Sequence, residues 1–129
     1  MEQRDRASGP DLAARTKRFA IEIIRLYSAL PRCEEARVWG RQLLRSGTSI
    51  GAQYREGLSA RSQAEFVSKL GGALQEAEET SYWLELLDEV QLAPADRLSQ
   101  LTDEAGQLTA ILAASVKTAQ AKLKVPRER

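Results

Sequence analysis

From Leu12 to Leu30 the residues suited to burial return at alternating intervals of four and three: Leu12, Thr16, Phe19, Ile23, Leu26, Leu30. That spacing holds one stripe of a helix against a neighbour, and no segment alternates convincingly with the period of two that a strand requires. The seam runs from about Asp11 and stops at Pro31; Ala20, Ile24 and Tyr27 form a second stripe beside it. Three more seams follow. Ala36, Gly40, Leu43, Gly47, Ile50, Tyr54 and Gly57 place a second helix from near Cys33 to near Gly57. Glu34 and Glu35 suit its positive end. "SQAE" at Ser62 has the form of a capping box and opens a third helix, with Phe66, Leu70, Ala73, Ala77, Thr80, Leu84 and Leu87 on its seam. Pro94, or the residues just after it, begins a fourth, which carries Leu98, Leu101, Ala105, Leu108, Leu112, Ser115 and Ala119 to about Lys124.

Long amphipathic helices with short connections predict an all-α fold, an antiparallel up-down-up-down four-helix bundle over residues 11–124. Residues 1–10 and 125–129 read as flexible ends. Helices of about 25–30 residues would be roughly 40 Å long.

The second helix raises a difficulty, because "LRSGTSIGAQYREGLSARS" is crowded with poor helix formers. Their placement resolves it. Gly40, Gly47 and Gly57 fall on the inward seam with Ile50 and Tyr54, and Gly51 lies one turn from Gly47 on the adjoining stripe with Leu44 and Leu58. Small residues on a packed face let another helix approach closely; Gly71, Gly72 and Ala73 form a similar thin patch on the third helix.

The chain holds no histidine and a single cysteine, Cys33. The commonest general base and metal ligand are therefore missing, and neither a zinc site nor a Glu-x-x-His di-iron site can be assembled. No phosphate-binding glycine loop occurs, and Cys33 reads as an ordinary, partly buried thiol. No cofactor or metal is expected, and the chain reads as a non-enzyme. "MEQRDRASGP" does not resemble a secretory leader, and the apolar stretches are too short to span a bilayer, so a soluble, cytoplasmic protein without a membrane partner is expected.

"RSGTSIGAQYREG" and "EFVSKLGGALQEAEETSYWLELL" together resemble the signatures of the bacterial four-helix-bundle proteins encoded within intervening sequences of large-subunit ribosomal RNA genes. A related branch comprises the accessory variability proteins of diversity-generating retroelements. The resemblance spans roughly residues 15–125. Its matching positions are Arg45, Ser46, Ser49, Ile50, Ala52, Glu56 and Gly57, then Phe66, Leu70, Ala73, Glu76, Glu79, Tyr82, Trp83 and Leu84. Gln53 stands where the family often has Asn. The resemblance implies a homopentameric barrel, no established catalysis and, in some members, association with nucleic acid.

Charge is nearly balanced overall at +1, but residues 1–61 carry +5 and residues 62–90 carry −6. Arg37, Arg41 and Arg45 share one stripe of the second helix, and Arg15, Arg18 and Arg25 add basic charge to the first. Two readings of these arginines stand open: structural pairing with Glu76, Glu79 and their neighbours, or a band that contacts RNA or DNA phosphates. Trp39, Tyr82, Trp83 and Leu86 do not fit the inward seams, and aromatic residues left outside a core mark an interface with a further copy. The expected function is a homo-oligomeric scaffold that binds nucleic acid through its backbone. The alternative is a protein-binding adaptor, such as an accessory subunit of a retroelement reverse transcriptase.

Overall fold

The computed structural model describes residues 10–124. Apart from Pro10, the two end segments expected to be flexible lie outside these residues. Among those described there are four helices and no strand: α1 (Pro10–Ala29), α2 (Glu34–Leu58), α3 (Gln63–Glu89) and α4 (Ala95–Lys124). Pro10 belongs to α1 rather than to the preceding segment; its fixed φ suits a first helical turn. The 20 residues of α1 match the span expected from Asp11 to Leu30, shifted by one residue, and α4 reaches 30.

The helix ends follow local chemistry. Cys33 caps α2 with extended backbone but gives it no side-chain hydrogen bond. The Ser62 hydroxyl accepts the Glu65 N–H at 3.0 Å, as a capping box requires. Its reciprocal half is shifted by one residue, since the Glu65 carboxylate accepts the N–H of Arg61, at 3.4 Å, rather than that of Ser62. After α3 the chain turns through Gln91, whose φ of 59° places a non-glycine residue in the left-handed region. The Leu92 N–H then reaches back to the Leu87 carbonyl at 3.0 Å.

The inward seams form one core, with Ile23, Leu43, Ile50, Leu70, Leu84, Leu87, Leu98, Leu108 and Leu112 fully buried. Helices consecutive in the chain pack on one another, while α1 and α4 touch more sparsely. On the second stripe of α1 Ile24 is 45% exposed, whereas Tyr27 lies against Gly40 of α2.

The glycines set how closely the helices approach. A Cβ at Gly40 would stand 2.9 Å from Leu30 Cδ1, one at Gly47 the same distance from Ile23 Cγ1, and one at Gly51 2.8 Å from Thr16 Oγ1. All three face α1. Thr16 fits there because its hydroxyl donates back to the Leu12 carbonyl at 2.8 Å. Gly57 faces α3, against Lys69 and Phe66. On α3 only part of the thin patch behaves as expected. The Gln53 amide lies over Gly72, its Cδ 2.8 Å from where a Cβ would be, whereas Gly71 has nothing within 4 Å. Gly71 therefore mediates no close approach among the described residues.

Candidate assembly and nucleic-acid surfaces

The densest polar arrangement lies along the outer side of the α2–α3 seam. Arg45 donates to Glu76 at 3.2 Å and also pairs with Glu79. Trp83 Nε1 donates to the same Glu79 carboxylate at 3.0 Å. These hydrogen bonds, from Trp83 first and then from Arg45, hold the Glu79 carboxyl below the usual carboxylate range. Beneath them Thr80 Oγ1 and Ser46 Oγ meet at 2.9 Å, both residues fully buried. A charged clamp thus sits over a buried hydroxyl pair and fixes α2 against α3.

The arginines expected to form one band are divided among different tasks. Arg15 grips Glu104 through two hydrogen bonds of 2.6 and 2.9 Å and adds Gln107 at 2.7 Å, bridging α1 to α4. Arg45 lies at the other seam, between α2 and α3. Arg25 pairs with Glu22 at 2.9 Å and Arg37 with Glu34, both within their own helices and exposed. Arg18 and Arg41 are exposed and make no ion pair with another described residue. Arg18 borders a cleft of about 670 Å3 between α1 and α4, with Phe19 and Leu101 among its lining. Glu22, Asp96 and Glu104 line the same cleft as Arg18, so carboxylates stand near it without an ion pair among the described residues.

The aromatic group is brought together in part. Tyr82 is 53% exposed and meets the Trp83 ring edge-on, with centroids 5.2 Å apart. Trp39 and Trp83 are half-buried and rest on the chain's own core, and Leu86 is also half-buried. They are less exposed than their positions off the inward seams suggested. Val38, which sequence reasoning passed over, is 46% exposed. It stands two turns before Arg45 on the same stripe of α2, so its direction was legible from spacing alone. Glu104 and Gln107, the partners of Arg15, were not legible; nothing in a sequence states which helix an exposed arginine will reach across to.

Among the described residues no group of three Cys, Asp or Glu side chains could hold a metal ion, and no helix is long and apolar enough to cross a membrane.

Comparison with known proteins gives this arrangement a family context. Residues 11–114 match the sequence profile described as 23S rRNA-intervening sequence protein. A crystal structure of a protein of unknown function from the S23 ribosomal protein family of Bacteroides thetaiotaomicron is similar at 37% identity. The match covers 82% of this chain and 98% of that one, with a TM-score of 0.77. No curated protein matches the chain.

Proposed function

The chain belongs to the 23S rRNA-intervening sequence protein family, and from that premise we propose that it is a non-enzymatic scaffold that assembles with its own copies and binds nucleic acid through backbone phosphates. The observation that carries assembly is the outer α2–α3 face. Val38 and Tyr82 are exposed there, beside the half-buried Trp39, Trp83 and Leu86. Covering such residues with another copy removes apolar surface from water and draws on the residue types that dominate interface energetics. An antiparallel bundle with two apolar flanks can serve two neighbours, the requirement for a closed ring. The family resemblance supplies five as the number of copies.

Backbone contact, rather than base reading, follows from the residue types at hand. Exposed cations such as Arg18 are at hand, while the indoles of Trp39 and Trp83 rest against the chain's own core. Repetition around a ring lets feeble contacts act together, because later ones form at high effective concentration. The test is RNA affinity of the intact chain at ~50 and ~200 mM salt, across which phosphate contacts lose affinity steeply. Absence of binding at the lower salt overturns the nucleic-acid reading. It would favour the protein-adaptor alternative, a retroelement reverse transcriptase accessory among its forms, for which the engagement of Arg15 and Arg45 with carboxylates also speaks.

A further inference from the structure

The near-zero net charge conceals a separation of charge along the bundle. At one end the close of α2, the α2–α3 connection and the last turns of α4 come together: Gly57 lies against Phe66 and Lys69, and Gln63 donates to the Ala119 carbonyl at 3.1 Å. Exposed here are Arg55, Arg61, Lys117, Lys122 and Lys124. Two nearby acids among the described residues are engaged. Glu56 pairs with Lys69 at 2.8 Å, and Glu65 is turned to the Arg61 N–H. At the opposite end exposed charges of both signs mix: Glu35, Glu85, Asp88, Glu89 and Asp96 stand with Arg32, and Glu34 is paired to Arg37.

Helix electrostatics account for Arg55 in the last turn of α2, for Lys122 and Lys124 in the last turn of α4 and for Asp96 in its first turn, but not for the ends of α3. Arg61 directly precedes the cap of α3, at the positive end where a cation is disfavoured. Asp88 and Glu89 crowd the negative end of α3, whose last turn holds no basic residue. The ends of a helix of this length are about 40 Å apart, far beyond the screening distance of roughly 8 Å at physiological salt. Each end therefore presents its own field to a partner.

We propose that the basic end, formed by Arg55, Arg61, Lys117 and Lys124, is the surface that receives the nucleic-acid backbone, and that the arginine stripe of α2 is not. The assignment rests on the nucleic-acid reading above and names where on the molecule it acts. In a closed ring related by rotation, the basic ends of all copies share one rim and the opposite ends the other. A polyanion thereby meets an excess of positive charge at one rim and a mixture of signs at the other.

The experiment compares Arg55→Gln/Arg61→Gln/Lys117→Gln with Arg37→Gln/Arg41→Gln in the full chain, using a single-stranded RNA. Arg61→Gln removes a cation from a positive helix end, so lost binding there does not come from a weakened helix. The triple variant should lose about tenfold or more in affinity at ~50 mM salt and shorten the log–log salt slope by about two to three, while the stripe pair binds within about twofold of the parent. If the triple variant fails to assemble, Lys117→Gln alone should shorten the slope by about one. Parental RNA binding that these end variants leave intact, or that the stripe pair weakens as much, overturns the assignment but not the nucleic-acid reading. Failure of the parent chain to bind overturns both.

Discussion

Replacing Gly47 with Ala asks whether the glycines of α2 exist for helix approach or merely tolerate it. The new methyl would stand 2.9 Å from Ile23 Cγ1, 3.0 Å from Cγ2 and 3.3 Å from Cβ. Ile23 is fully buried and branched at Cβ, so neither γ carbon can swing clear without moving α1. Alanine gains about 1 kcal/mol of helix propensity over glycine. Overpacking a filled core costs about 1–3 kcal/mol, leaving the variant less stable by up to about 2 kcal/mol. Gly106 is the control, since a methyl there meets nothing within 4 Å. There the same substitution should stabilise by about 0.5–1 kcal/mol. Urea midpoints followed by far-ultraviolet circular dichroism, at one protein concentration, read both changes. A cycle with Ile23→Ala should recover part of the Gly47→Ala cost, because the atoms in collision are gone. Equal gains from Gly47→Ala and Gly106→Ala would refute the close-approach reasoning.

Other substitutions probe separate features. Thr80→Val leaves the buried Ser46 hydroxyl only the Leu43 carbonyl, at 3.4 Å, and should cost about 1–3 kcal/mol; the midpoint should recover when Ser46→Ala is added, and no recovery would mean that the hydroxyl pair is not what was lost. Gln91→Gly relieves a left-handed backbone and should raise stability by up to about 1 kcal/mol, read as a higher urea midpoint. Glu79 is held below the ordinary carboxylate range, so its contribution is present above the unfolded-state value and is lost as pH falls through the lower folded-state value. Glu79→Gln should accordingly flatten the acid limb of stability against pH, and an unchanged limb would assign that limb to other carboxylates. Tyr82→Glu should dissociate the assembly while leaving helical content intact, as measured by sedimentation and circular dichroism.

The fold was largely legible because burial repeats with the helix. Every α3 seam residue from Phe66 to Leu87 is buried, and on α4 only Ser115 of the named seam is not fully so. Gly47 and Gly51 were legible as contact positions for the same reason: their stripe faces α1 whatever fills it. Periodicity assigns a face but not a partner across space. Gly71 and Gly72 are adjacent in sequence, yet only Gly72 receives a side chain, that of Gln53. The arginines show the same limit more sharply. Arg37, Arg41 and Arg45 share a stripe, but Arg45 alone lies level with Glu76 and Glu79, a relation set by the offset of α2 against α3. Tryptophans off the seam were harder still to place, because a large ring can reach the core from a flank, as Trp39 and Trp83 do.

Self-assembly through the outer α2–α3 face is the claim on which the functional proposal depends, and the mass of the particle in solution tests it most directly. Multi-angle light scattering of the intact chain at micromolar concentration should return a multiple of the 14.3 kDa chain mass, five copies being the expected number. Tyr82→Glu should lower that multiple. A parent protein that elutes at the mass of one chain would contradict the claim, and with it the explanation of Val38 and Tyr82 as residues another copy covers.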